Sequence, residues 1–342
     1  IGLTDGRIRG DAYDSFIDEF MEQASLAFPD AIIQFEDFGN RNASRLLEKY
    51  KNDYRMFNDD IQGTAAVALS GLLSSQRITK KKLAEEKILF YGAGTAGIGI
   101  ANLYTSALVE KGYSEDEARK RCWFVDSKGL VTKGRKNLSD DKIPFAHDHD
   151  VKEDLCEIIE SIRPTALIGI SGQGHAFSRD VLELMAEIND RPIVFALSNP
   201  TSVSECTAQQ AYKWTKGRCL FASGSPFGPV ELEGKMFIPG QGNNAYIFPG
   251  VGLGIVLSRS KIISDDLFLS AAHTLSSLVS DEELSNGQLY PSLSDIRSVS
   301  KTIAISIAKK VIASGLTNIA LPKNLEKYLD SIIYNPEYRD YI

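Results

Sequence analysis

Two pairs of adjacent acids and one glycine-rich turn carry most of the chemistry legible in this chain. The pairs are Glu36-Asp37, in IIQFEDFGN, and Asp59-Asp60, in FNDDIQGTA. The turn is GAGTAG, Gly92 to Gly97, within ILFYGAGTAGIGIAN at 88–102. Clustered carboxylates suit a hard divalent ion such as Mg²⁺ or Mn²⁺, which takes oxygen ligands and leaves room for water or substrate. A GxGxxG turn between an apolar strand and a helix suits a dinucleotide. Gly92 makes the tight turn, Gly94 lets the backbone approach the pyrophosphate, and Gly97 lets the helix pack on the strand, with phosphate at the helix N-terminus. Ala93 and Thr95 complete the same loop. Together these features point to a metal-assisted dehydrogenase.

Several positions admit two readings. Adjacent residues of a regular strand face opposite ways, so Glu36 and Asp37 reach one ion only where the strand breaks down, which Gly39 makes feasible. Asp59 and Asp60 stand at a helix start, where Asp60 also reads as an N-cap. The acid expected after the second strand is Asp126, which lies beyond the usual spacing of about 20 residues. A long intervening helix, IGIANLYTSALVEKGYSEDEARKR, accounts for the difference. Asp126 would bond the ribose of NAD. Ser127, Lys128 and Lys142 nearby favour a 2′-phosphate and hence NADP, although the lysines also read as solvated surface.

Ser171, in GISGQG, and Asn199, in ALSNPT, follow strands, where a doubly wound sheet presents its ligand site. Asn243 and Asn244, in GQGNN, lie in a turn before a helix. Asn favours turns for local backbone reasons, yet its neutral amide also binds a substrate carboxylate without cancelling the charge of a metal. His147 and His149, in AHDHD, have no second His or Cys pair and read as a polar loop rather than zinc ligands. No Ser-His-Asp arrangement supports hydrolysis.

These residues need elements to hold them. Apolar spacing gives an amphipathic helix over 12–27, a strand over 31–35, a helix over 41–53 and a small-residue helix over 61–76. Strands then alternate with helices: KILFYG, RCWFVD at 121–126, TALIGIS at 165–171, PIVFALSNP at 192–200 and CLFASGSPF, with helices between them and after GQGNN. That alternation predicts an α/β, doubly wound, Rossmann-like and mostly parallel sheet with flanking and C-terminal helices. The chain divides into 1–60, which carries the metal-ligand candidates and the end of an N-terminal region; 61–260, the dinucleotide-binding domain; and 261–342, a helical segment.

Composition narrows the classes. The chain has 342 residues, with 43% hydrophobic and 24% charged, enough for a core without staples. A net charge of −7, spread along the chain, argues against nucleic acid as a partner. Four cysteines, Cys122, Cys156, Cys206 and Cys219, lie far apart, which speaks for a reducing compartment, cytoplasmic or mitochondrial rather than secreted. No apolar run reaches membrane-spanning length and no signal peptide is visible. The absence of an initiator Met suggests a domain from a longer chain or a processed product.

Taken together, QFEDFGN, FNDDIQGTAAVAL, GAGTAGIGIAN, VDSKGL, LSNPT, CLFASGSPFGPV and GQGNNAYIFPG closely resemble malic enzyme over essentially the whole chain. The resemblance implies reversible oxidative decarboxylation of L-malate to pyruvate and CO₂, with NAD or NADP and Mg²⁺ or Mn²⁺. It implies that Glu36, Asp37 and Asp60 are metal ligands and that Asp59 shapes their site. Asn40 and the 92–97 loop become cofactor contacts; Asn199, Asn243 and Asn244 contact malate or nicotinamide; and Ser127, Lys128 and Lys142 look like those of NADP-using members. The family's general base and acid are a Lys and a Tyr of an N-terminal domain, where an Arg also grips malate. None of those segments is found here, and Tyr13, Lys49 and Tyr50 belong to other segments, so the chain alone is expected to be nearly inactive. The resemblance also implies a homo-oligomer for the full-length protein. Two other readings remain: a non-catalytic dinucleotide-binding module that needs a partner chain, and an amino-acid-type dehydrogenase, which would have no use for the acid pairs.

Overall fold

The structure is a computed structural model that describes residues 4, 6–319, 322, 324–334 and 338. Ile1 and parts of the polar C-terminal tail lie outside the described residues. Helix α1 (Asp11–Ala27) leads into β1 (Ile33–Phe35), α2 (Asn40–Tyr50) and β2 (Met56–Asn58). In α2 the buried residues Ala43, Leu46, Leu47 and Tyr50 recur at helical spacing and meet Ile17 and Met21 of α1 and Phe35 of β1 in a small core of their own. β1 and β2 pair in parallel, with Phe35 opposite Asn58.

A π-helical turn, Asp59–Gly63, then opens into α3 (Thr64–Thr79), buried throughout from Ala65 to Ser75. Its small side chains let neighbouring helices approach from every side. Next come β3 (Ile88–Tyr91), α4 (Thr95–Val109), α5 (Glu115–Arg119), β4 (Cys122–Asp126), β5 (Gly129–Leu130), α6 (Leu155–Ile162), β6 (Ala166–Gly169), α7 (Arg179–Ile188), β7 (Ile193–Ala196), α8 (Ala208–Trp214) and β8 (Leu220–Ser223). A hairpin of β9 (Val230–Leu232) and β10 (Lys235–Phe237) precedes β11 (Gly240–Gln241). The chain continues through α9 (Phe248–Ser258), α10 (Asp265–Ser277), α11 (Asp281–Ser285), α12 (Ile296–Ala313) and α13 (Leu325–Ile332).

Seven strands form the main sheet in the order β11-β8-β7-β6-β3-β4-β5, all neighbours parallel except β4 and β5. Successive residues of a strand face opposite ways. Ile88 and Phe90 of β3 accordingly enter one core with α3, α4, α9, α10 and α12, while Leu89 enters a second core with α6, α7 and α8. The doubly wound, mostly parallel sheet read from the sequence is therefore the observed fold. Strand order reverses between β3 and β6, and their carboxyl ends open the crevice where such sheets take ligands.

Three details differ from the sequence reading. The long helix expected after the glycine loop is two, because Gly112 turns the chain at φ +92° and Ser114 and Glu117 cap a new start. β2 and the β9–β10 hairpin were not anticipated; the hairpin closes through Glu233 and Gly234, both at positive φ. The helix placed at 61–76 is reached through the π-helical turn.

Candidate functional site

The glycine loop lies between β3 and α4. Gly92 has φ +125°, and a Cβ there would lie 2.7 Å from the Ile170 carbonyl oxygen. A Cβ on Gly97 would lie 2.7 Å from the Gly92 carbonyl oxygen, so helix and loop meet only through glycine. Gly94 differs. Its backbone is extended, at φ −87° and ψ −177°, and the nearest atom to a built Cβ is Asn40 Nδ2 at 3.6 Å. No protein atom requires glycine there; the space in front of it belongs to a cleft of about 520 Å³ lined by Asn40, the 92–94 loop, Asp126, Ser127, Ser171 and Gln173. Asn40, the first residue of α2, accepts a hydrogen bond at Oδ1 from Thr95 Oγ1 at 3.0 Å. Gln173, which the sequence reading passed over, accepts at 3.1 Å from the Tyr91 hydroxyl.

Asp126, at the end of β4, is gripped on three sides. The Lys128 N–H donates to Oδ1 at 2.9 Å, Arg135 reaches both oxygens at 2.9 and 3.0 Å, and Lys142 Nζ lies 2.9 Å from Oδ2. Partial burial opposes the charge, but the bonds from Arg135, Lys142 and the Lys128 N–H outweigh it and hold the carboxyl at about 2. Arg135 was missed from sequence. Its signal was the basic run KGRKN soon after the acid. Two cations thus face the Asp126 carboxylate, and Glu153 also lines this end of the cleft. Ser127 is exposed beside it.

The acid pairs come together through the parallel pairing of β1 and β2. Because Phe35 stands opposite Asn58, both pairs leave the same end of that small sheet. The strand breaks at Asp37 itself, at φ +56°, a left-handed conformation that Asp tolerates better than most residues; Gly39, at φ −60°, does not supply the break. The Asp37 N–H donates to Asp60 Oδ2 at 2.7 Å and links the pairs. The N-cap expected of Asp60 falls instead to Asn58, whose side chain accepts from the Ile61 N–H at 3.0 Å. That frees both carboxylates from capping.

Asp59 is 1% exposed. Its Oδ2 accepts from Asn244 Nδ2 at 2.5 Å, and its Oδ1 has no partner. Burial, then the charges of Glu36 and Asp60, push its carboxyl up to about 8. Burial likewise raises Glu36, which takes a hydrogen bond from Gln34 at 3.1 Å, and Asp60. Among the described residues, no three acid, imidazole or thiol groups converge closely enough to grip a metal ion as they stand. The set nonetheless fits a hard cation. It is all oxygen, mutually repelling and partly desolvated, and it holds one buried oxygen without a donor.

The remaining candidates divide. Asn244 reaches the acid cluster, and Asn243 spends its Oδ1 on the Ala245 N–H at 2.8 Å. Ser171 lines the cleft, and Asn199 is exposed beyond β7, joined to Pro200 by a cis peptide. Lys49 and Tyr50 both bind Asp18 Oδ1, at 2.5 and 2.6 Å, and tie α2 to α1. His147 stacks on Trp123 with ring centroids 3.5 Å apart, and His149 Nε2 lies 2.8 Å from Ser161 Oγ. Neither histidine joins a metal cluster among the described residues.

Comparison with known proteins follows this geometry. A family model described as malic enzyme, NAD binding domain, matches residues 61–312, and one described as malic enzyme, N-terminal domain, matches residues 1–51. NADP-dependent malic enzymes of Mus musculus and Homo sapiens are each 51% identical over 341 residues, covering 99% of this chain and 60% of theirs. That of Phaseolus vulgaris is 48% identical, covering 100% of this chain and 59% of its own. Among solved structures, a malic enzyme of Entamoeba histolytica shares the fold at TM-score 0.76 and 22% identity, over 93% of this chain and 62% of that one. One from Pyrococcus horikoshii does so at TM-score 0.71 and 23% identity, over 92% and 71%. The chain spans about 60% of the length of the curated relatives it matches.

Proposed function

Because the chain belongs to the malic enzyme family, we propose that it carries the cofactor and metal half of a site that converts L-malate reversibly to pyruvate and CO₂. The observation that carries this reading is the link between the acid cluster and the cofactor cleft. Asn40, three residues beyond Asp37, bonds Thr95 at the start of α4, while Asp60 bonds the Asp37 N–H. A substrate beside the acids thus lies next to a dinucleotide in the cleft.

In this reading Glu36, Asp37 and Asp60 hold Mg²⁺ or Mn²⁺, which when bound supplies Lewis acidity to the oxygen functions of the substrate. Asp59 holds Asn244, and Asn199, Asn243 and Asn244 offer neutral amides to the substrate carboxylates or the nicotinamide. The 92–97 loop and the N-terminus of α4 receive the pyrophosphate, and the cofactor, when bound, accepts the hydride. NADP is favoured over NAD, since Arg135 and Lys142 place two cations beside Asp126. Ser127 and Lys128 flank it, and Ser171 lines the opposite wall.

No general base or acid is assigned to these residues, so the chain by itself should turn over malate slowly or not at all. The full-length protein is read as a homo-oligomer acting on small molecules, cytoplasmic or mitochondrial. No helix among the described residues is long and apolar enough to cross a membrane.

The test is malate-dependent NADPH or NADH formation with Mn²⁺, for the chain alone and mixed with the N-terminal segment of a full-length relative. Activity only on mixing supports the reading. Turnover by the chain alone would show that a base and an acid lie within it. Cofactor binding with no turnover in either case would favour the non-catalytic module.

A further inference from the structure

Glu205 is fully buried, at 0% exposure, in the segment after the Asn199–Pro200 turn, and no step above uses it. Three hydrogen bonds from neighbouring residues reach its carboxyl, and all three are donated to it. Ser198 Oγ lies 2.5 Å from Oε1, the Ser171 N–H donates to Oε1 at 3.3 Å, and the Ser198 N–H donates to Oε2 at 3.3 Å. The Ser198 hydroxyl in turn accepts from the Gly172 N–H at 2.9 Å. The carboxyl therefore joins the loops that follow β6 and β7. One loop carries Ser171 and Gln173 of the cofactor cleft, and the other carries Asn199.

The fold makes room for this contact. A Cβ on Gly169, the last residue of β6, would lie 2.5 Å from Glu205 Cγ and against its carboxyl carbon. The segment itself is pinned by backbone bonds from His175 to Ser204 and from Phe177 to Glu205, both at 3.0 Å. Burial pushes the carboxyl up from the ordinary range, and the bonds from Ser198 and Ser171 act against that shift. An apolar side chain here would leave two N–H groups and a hydroxyl without an acceptor. A glutamine would turn an N–H toward a donor on one side. Only an acceptor at both oxygens satisfies all the donors at once.

We propose that Glu205 is a positioning residue: its carboxylate clasps the ends of β6 and β7 and holds Ser171 and Asn199 in the geometry that receives the dinucleotide. This rests on the cofactor reading above. The role is positional, because Glu205 is sealed from the cleft and acts through Ser171, Ser198 and Gly172.

The test is a fluorescence titration with NADPH of the wild-type chain, Glu205→Gln, Ser198→Ala and the double variant, with far-UV circular dichroism and melting temperature for each. Glu205→Gln keeps the volume but loses one acceptor, so NADPH should bind roughly tenfold more weakly. Ser198→Ala should weaken binding in the same direction. The double variant should be little weaker than Glu205→Gln, because both changes cut one network.

A folded Glu205→Gln that melts lower yet binds NADPH like the wild type would show a merely structural acid and overturn the proposal. Should Glu205→Gln fail to fold, Ser198→Ala decides: unchanged affinity overturns the clasp, and weakened affinity supports it. A wild-type chain with no affinity for NADPH would instead overturn the cofactor reading beneath it.

Discussion

Gly94→Ala separates a glycine kept for the fold from one kept for a ligand. Its backbone lies at φ −87° and ψ −177°, which alanine adopts freely, and the added methyl would have no protein atom closer than 3.6 Å. The folded chain should therefore tolerate the change. By narrowing the unfolded ensemble the substitution should even stabilise it by about 0.4–1 kcal/mol. The methyl instead enters the cleft at the start of α4, where a phosphate must approach backbone N–H groups to hydrogen-bond distance. Losing one such charge-assisted bond costs about 1.5–3 kcal/mol, or roughly 10- to 100-fold in dinucleotide affinity.

Gly92→Ala and Gly97→Ala supply the contrast. Gly92 sits at φ +125° with the Ile170 carbonyl oxygen 2.7 Å from a built Cβ, and a Cβ on Gly97 meets the Gly92 carbonyl oxygen at the same distance. Gly92→Ala should cost about 1–3 kcal/mol of stability from the backbone conformation alone, before the clash. Melting curves and NADPH titrations on the three variants would show it: Gly94→Ala loses affinity at unchanged or higher melting temperature, and the other two lose stability. A Gly94→Ala chain that bound NADPH like the wild type would refute the reasoning, since no phosphate could then be seated against that loop.

Other expectations follow from the same structure. Divalent cations should stabilise the chain with the logarithm of their concentration above the dissociation constant, by about 2.7 kcal/mol at 100 times that constant, and so raise its melting temperature; Asp60→Asn should abolish the rise. Replacing Lys142 or Arg135 by Ala removes a cation from Asp126, so its carboxyl should climb from about 2, and the ratio of NADP to NAD affinity should fall; an unchanged ratio would place the 2′-phosphate elsewhere. Glu86 is 1% exposed with Oε1 unpartnered, and burial raises its carboxyl. Its protonated form is thus the better folded one. The contribution is complete below the ordinary Glu range and is lost as pH rises through the raised folded value, so Glu86→Gln should stabilise the chain by about 1–3 kcal/mol at pH 8 and by less toward pH 4. Parallel pH–stability curves for the two proteins would contradict this.

What the sequence made legible was what periodicity and local spacing encode. The apolar runs of β3, β6, β7 and β8 and the helices between them give the doubly wound sheet. The glycine loop announces itself because strand, turn and helix are contiguous. The partners that arrive from a distance were hidden. Nothing in FNDDIQGTA says that Met56–Asn58 pairs with Ile33–Phe35, because three-residue strands carry too little pattern. Arg135 lay in a basic run that reads equally as surface. Glu205, in SVSECTAQQ, is a single acid in a loop, and only the fold shows Ser171 and Ser198 donating to it. The cap went to Asn58 rather than Asp60 because the helix begins with a wider π-helical turn, which shifts the capping position.

The acid cluster bears most directly on function, because stability alone does not account for it. Asp59 is held at 1% exposure with its carboxyl pushed to about 8, beside two further acids whose charges oppose its own. An asparagine there could still accept from Asn244 and would carry no charge to bury. The surroundings nevertheless accommodate the acid in detail. Gly63 leaves the space its Oδ1 fills, since any Cβ there would collide with that oxygen. Asn58 takes over the cap, and the left-handed Asp37 turns its N–H to Asp60. A fold that spends a left-handed residue, a π-helical turn and a glycine to bring like charges together carries a local cost of the kind found at functional sites. A bound cation is the simplest agent that turns this repulsion into attraction. On that argument the cluster is under least strain when loaded, and the free chain should resist heat less than the metal-bound one.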